Sequence, residues 1–172
     1  MNAPIIIEKY NPKWPKFFEK ERVVIEEALS DLVISIEHIG STAVPGMGAK
    51  PIIDIMIGVE SFDEIKKCIP LLVSIVYTFD TNRVEDFPER KSLDKQFDGI
   101  KIHLYIIDIN SDYWGRHILF RDFLRSYPDA AKEYNDLKQG LAQLFRNDRK
   151  AYTNGKSKFI KKIEKKARKE YS

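Results

Sequence analysis

One stretch limits the possible folds more than any other: Pro51 to Val59, PIIDIMIGV. Side chains on a strand alternate between two faces, and this run is apolar on both. Such a strand belongs in the middle of a sheet covered on both sides, so the chain needs layers above and below it. One residue breaks the run. Asp54 places a carboxylate at its centre, where an unpaired charge is strongly unfavourable. It needs a partner: a metal ion, a Lys or Arg, or backbone amides. Lys50 and Arg90 are the candidate side chains. The segment just before, Gly40 to Lys50 (GSTAVPGMGAK), holds three Gly and one Pro and reads as a loop.

The remaining pattern supplies the layers. Asn11-Pro12 predicts a helix start, with Asn capping the free amides and Pro in the first turn. Trp14, Phe17, Phe18, Ile25, Ala28 and Leu29 recur at helical spacing to about Ser30. Leu32 to Ile39, rich in β-branched residues, predicts a strand. Ser61 and Glu64 form a capping box that opens a helix to about Leu72, followed by a strand over Val73 to Phe79. Residues 80–99 read as polar and irregular, with a short strand near Arg90 to Leu93. In Ile100 to Asp108, Ile100, Ile102, Leu104 and Ile106 face one way, and Lys101, His103 and Tyr105 the other. Helices follow at about 112–126, 128–146 and 156–170, with Gly155 just before the last. The order predicts one domain of class α+β (α/β): a body over about residues 5–110 and a helical C-terminal part over about 111–172.

No stretch reaches the roughly 18 apolar residues of a membrane span, and MNAPIIIEKY lacks the features of a signal peptide. The single cysteine, Cys68, excludes an internal disulfide and a Cys-based zinc cluster. A cytoplasmic protein without a membrane partner is expected. The net charge of +3 hides an asymmetry, because residues 138–172 hold 12 Lys and Arg against 3 Asp and Glu. A basic tail of this kind is either a solvated helix face or an attractor for phosphates and nucleic acid.

Three places can carry chemistry. The Gly40-Ser41 turn lets a backbone approach a phosphate, with Ser41 and Thr42 offering hydroxyls and amides, and Asp54 could hold a Mg²⁺ bridging those phosphates. The bland alternative is a tight turn beside a structural ion pair. His103, on the polar face of its strand, can serve as general base, phosphate donor or metal ligand, or be a hydrogen-bonded structural histidine. Arg121 and Arg125, four apart on one helix, can clamp an anion or pair with Asp122 or Glu133. Glu89-Arg90 is a further polar pair, and His38, alternating with Ile36 and Ile34, reads as a satisfied core histidine.

The run IEHIGSTAVPG from Ile36 to Gly46, followed by KPIIDI from Lys50 to Ile55, resembles the signature of the GrpB family, a bacterial family of nucleotidyltransferase-like proteins. Tyr10 to Trp14 (YNPKW), Pro88-Glu89-Arg90, Ile102-His103-Leu104, Phe120 to Arg125 (FRDFLR), and Tyr152 with Lys156, Phe159 and Ile160 resemble further family stretches in the expected order. The resemblance covers about residues 5–168. It implies a nucleotidyltransferase-like mixed β-sheet flanked by helices, related to polymerase β, with a C-terminal helical part. In active members of that superfamily a Gly-Ser turn holds the triphosphate, and three carboxylates hold two Mg²⁺. Here Met56 stands where the second acid is expected and His103 where the third is. One carboxylate cannot balance two divalent ions, and Mg²⁺ prefers oxygen ligands over imidazole. The expectation is therefore a nucleotide or other phosphorylated ligand, bound through Gly40, Ser41, Thr42, Lys50, Glu89, Arg90, Arg121 and Arg125. Asp54, with one Mg²⁺, and His103 would be the catalytic candidates for nucleotidyl or phosphoryl transfer. A non-catalytic binding module, or an interaction protein using the basic tail, is the alternative.

Overall fold

The structure, a computed structural model, describes residues 4–79 and 90–171. Glu89 and the first half of the irregular segment expected at 80–99 lie outside the described residues. Helix α1 is Trp14–Leu29. It starts later than Asn11-Pro12 suggests: the Asn11 side chain accepts from the Lys13 amide (2.9 Å) in the turn before it, and Pro15 occupies the first turn. A 3-10 turn over Ser30–Leu32 prolongs the helical winding, so strand β1 is only Ser35–Ile39. Strand β2 is Ile52–Val59 and helix α2 is Phe62–Ser74, opened by Ser61 accepting from the Glu64 amide.

The strand expected from Val73 is cut down to β3, Thr78–Phe79. Ile65, Cys68 and Leu72, all fully buried, form a stripe at helical spacing that carries α2 past Val73, which faces solvent. Here the period of burial outweighs β-branched propensity. The opposite happens after residue 90. Strands β4, Arg90–Phe97, and β5, Ile100–Asp108, make a hairpin closed by Asp98-Gly99. Both turn residues have positive φ (51° and 77°), the two-residue geometry that matches strand twist.

The strands assemble in the order β1-β2-β5-β4-β3, with β2 and β5 parallel and the other pairs antiparallel. One face of β2 and β5, through Ile53, Ile55, Ile57, Ile102, Leu104 and Ile106, packs with Trp14, Ile25 and Leu29 of α1 and Leu72 of α2. The other face carries Asp54, Met56, His103 and Ile107. It packs on α3 (Asp112–Ser126), and α4 (Pro128–Leu144) and α5 (Arg149–Glu170) pack on α3 and on each other to complete that layer. The doubly apolar β2 is thus covered on both sides, and the mixed sheet flanked by helices is the α+β architecture that the sequence implies. Helix α5 begins earlier than expected because Asp148 caps the Ala151 amide (2.9 Å). Gly155 is then inside the helix, where a Cβ would lie 2.5 Å from a Leu141 methyl; its lack of a side chain lets α4 and α5 close up.

One charged network sits in the α1 face of the core. Glu21 of α1, 1% exposed, accepts from Lys95 Nζ and from the Tyr77 hydroxyl, both at 2.8 Å. Among the described residues Glu21 Oε2 has no hydrogen-bond partner. Among the described residues no helix is long and apolar enough to cross a membrane.

Candidate functional site

The antiparallel pairing of β1 with β2 sets Ile39 opposite Asp54. The chain leaving β1 therefore turns directly over the carboxylate. Gly40 makes that turn at φ 74°, and a Cβ there would stand 2.6 Å from Asp54 Oδ2. The close approach is why the position suits glycine alone. Ser41–Ala43 follow as a 3-10 turn. The Asp54 side chain remains 26% exposed, so it is not sealed off.

His103 pairs with Asp54 on one side, through the parallel β2–β5 ladder, and with Asp94 on the other, through the β4–β5 hairpin. Its Nδ1 lies 3.4 Å from Asp54 Oδ1 and its Nε2 lies 3.7 Å from Asp94 Oδ1. Asp94 also meets Lys101 at 2.8 Å. An imidazole between two carboxylates, one of them open to solvent, can carry a proton to or from a group resting on Asp54.

A cavity of about 300 Å³ opens beside this row, between the sheet and the C-terminal helices. Gly40, Ser41, Thr42, Lys50, Asp54, His103 and Arg121 reach its walls, so the structure brings together most of the residues the sequence singled out. Helices α4 and α5 add Lys138 and Lys156 together with Tyr134 and Tyr152. The Lys138 ammonium donates to the Gly48 carbonyl, and the Gly48 amide donates to Asn135 Oδ1 at 3.0 Å. Burial, then the charges of Lys156 and Lys50, push Lys138 down to about 7. Burial and Lys50 push Lys156 down to about 8, with Asp54 opposing.

Other sequence candidates have different roles. Arg121 is 8% exposed and is held by Asp122 (2.8 Å), Glu37 (2.5 Å) and the His38 carbonyl (3.1 Å). Arg125 Nε donates to the Ala43 carbonyl at 2.9 Å, outside the cavity lining. Instead of forming a clamp, the two arginines tie α3 to β1 and to the Gly40 turn. Arg90 is not beside Asp54: it pairs with Ile107, four positions along β4 from Asp94, donates to the Tyr113 hydroxyl and lies over the Tyr105 and Tyr113 rings. The Thr42 hydroxyl is spent in the wall, donating to the Ile52 carbonyl (3.2 Å) and meeting His38 Nε2 (2.9 Å). The basic tail is the outer face of α5, where Lys162 pairs with Glu133 and Arg168 with Asp112.

His38 is a buried histidine stacked on Phe18, with ring centroids 4.9 Å apart. Burial, then Arg125 and Arg121, lower it to about 4, against an opposing pull from Asp54. The unfolded chain binds a proton near pH 6.5 and the folded chain only near 4. Stability is therefore complete above 6.5 and falls as pH drops through that window, by about 3 kcal/mol in all. Urea titrations from pH 7 to 4 are expected to show this loss, and His38→Gln is expected to flatten it.

The residues do not fit a resident Mg²⁺. Asp54 is the carboxylate next to the turn, and the ammonium groups of Lys50 and Lys156 in the same cavity disfavour a divalent cation there. Met56, at the expected second acid, is fully buried with Ile39 and Ile107. Among the described residues no group of three His, Cys, Asp or Glu side chains is placed to hold a metal.

Comparison with known proteins gives the same picture as the residues. The family model described as GrpB protein matches residues 4–166. The glutamate-rich protein GrpB of Alkalihalophilus pseudofirmus is 34% identical over 92% of this chain and 93% of its own length. A UPF0157 protein of Bacillus subtilis, YqkA, is 33% identical over 92% of this chain, which spans only 46% of that relative. The crystal structure of conserved protein GrpB from Enterococcus faecalis superposes with a TM-score of 0.84 at 34% identity, covering 96% of this chain and 99% of that one. The shared architecture is consistent with the nucleotidyltransferase-like fold. The chain belongs to the GrpB protein family.

Proposed function

We propose that this chain binds a nucleotide or another phosphorylated small molecule in the cavity between the sheet and the C-terminal helices. One observation carries the reading: Lys50, Lys138 and Lys156, from three separate segments, converge on one cavity beside the Gly40-Ser41 turn. Ammonium groups gathered out of water repel one another, and an anion among them relieves that repulsion. Tyr134, Tyr152, Ile7 and Ile160 give the same cavity an apolar wall for the rest of a ligand. Binding is favoured over nucleotidyl transfer because Asp54 lacks the companion acids that a pair of metal ions needs.

A panel of nucleotides and sugar phosphates screened by thermal shift tests the reading. A ligand at one hundred times its Kd stabilises the fold by about 2.7 kcal/mol, which at this length raises Tm by roughly 5–10 °C. Asp54→Asn separates two modes of binding. Without a bridging cation, removing this negative charge tightens binding of an anion; loss of binding would mean that a cation joins the ligand to Asp54. Product formation by the wild type would add catalysis. No shift with any phosphorylated compound would refute the proposal.

A further inference from the structure

The cavity receives ammonium groups from both of its sides. Lys50 comes from the loop entering β2, Lys138 from α4 and Lys156 from α5. Lys138 is 2% exposed, and one of its N–H groups goes to the Gly48 carbonyl, leaving the others for a ligand. Its Nζ lies 5.2 Å from the Tyr134 ring centroid, and Lys156 Nζ lies 4.5 Å from that of Tyr152. Among the described residues neither lysine pairs with a carboxylate, whereas the exposed Lys132 and Lys162 do.

The charges that face these lysines come from every wall. On β2 stands Asp54, and on β5 His103 sits against it. On α5 Glu164 faces Arg116 of α3 at 3.9 Å, so those two largely cancel. His117 of α3 is lowered by burial. Tyr134 and Tyr152 are raised by burial and stay neutral. Arg121 and Arg125 are offset by Glu37 and Asp122, so among the described residues the protonated Lys138 and Lys156 against Asp54 leave an excess of about one positive charge, with Lys50 adding to the repulsion on both.

Resting on the phosphorylated-ligand reading, we infer that Lys50, Lys138 and Lys156 form the receptor for a doubly charged phosphate group of the ligand, and that the receptor takes up a proton as it fills. The empty cavity sheds charge, because ammonium groups in a confined space repel each other. A phosphate dianion restores the protonated state of both helical lysines and accepts their N–H groups. The helical C-terminal part then supplies the anion anchor, while the Gly40-Ser41 turn closes the site from the sheet side.

Calorimetric titration of the full chain with inorganic phosphate and with AMP, at pH 8 in buffers of different ionisation heat, tests this. After correction for the ligand's own ionisation, uptake of about one proton per ligand is expected. Lys138→Met and Lys156→Gln are each expected to lower affinity tenfold or more and to cut the uptake by at least a third. Melting curves without ligand show that each variant is folded. If Lys138→Met does not fold, Lys156→Gln at its half-buried site carries the test. Binding without proton uptake, or with affinities in both variants within threefold of wild type, overturns this inference and leaves the phosphorylated-ligand reading standing. If inorganic phosphate, AMP and ATP all fail to bind the wild type at millimolar concentration, both fall.

Discussion

Lys95→Ala is expected to destabilise the chain by about 3–5 kcal/mol, the usual cost of leaving a buried charge without its partner. Glu21 is 1% exposed, and Lys95, with a 9% exposed side chain, is the cation that balances it. Tyr77 offers a hydroxyl to Glu21, but a neutral donor cannot offset a full charge. Urea denaturation at pH 7 measures the loss. The double variant Glu21→Leu with Lys95→Met removes both charges and is expected to recover most of it. A single-variant loss below 1 kcal/mol would mean that the pair is wetter than its burial indicates.

Gly40→Ala is expected to act on stability and binding together. A residue with a Cβ at φ 74°, ψ −174° costs about 1–3 kcal/mol in backbone strain. The new methyl also meets the Asp54 side chain, with Oδ2 at 2.6 Å and Cβ and Cγ at 3.3 Å, so the carboxylate must move, which adds about 1–3 kcal/mol of overpacking. A total of about 2–6 kcal/mol follows, together with displacement of the Asp54 carboxylate and at least a tenfold loss of phosphate-ligand affinity. Gly46→Ala is the control. Gly46 has a similar φ of 78° but open space where its Cβ would go, so it is expected to show strain without the loss of binding.

Much of this was legible in the residues. The two-sided apolar run fixed β2 at the centre of a covered sheet, and the alternation in Ile100 to Asp108 correctly separated the core face from the face bearing His103. Other features were written in signals that are easy to pass over. Asp98-Gly99 between two candidate strands is a two-residue hairpin signature, and it fixes the register that sets Asp94 opposite His103. Lys138 lies four residues from both Tyr134 and Ala142, and Lys156 four from Tyr152 and Ile160. A charge on the buried stripe of an otherwise soluble helix is a stronger pointer than the overall basicity of the tail. Arg121 and Arg125 mislead for the opposite reason. Spacing shows which face they share, but not that Glu37 and the Ala43 carbonyl wait on that face.

The parallel pairing of β2 with β5 bears on how the molecule is assembled. It joins residue 52 to residue 101, so this ladder must enclose about fifty residues before its first bond forms. Local pieces such as α1, α2 and the β4–β5 hairpin can organise early, whereas Asp54 and His103 come within reach of each other only when that long loop closes. Recovery of ligand binding should then trail the regain of helical signal in a refolding experiment, because contacts of large sequence separation are slow to form.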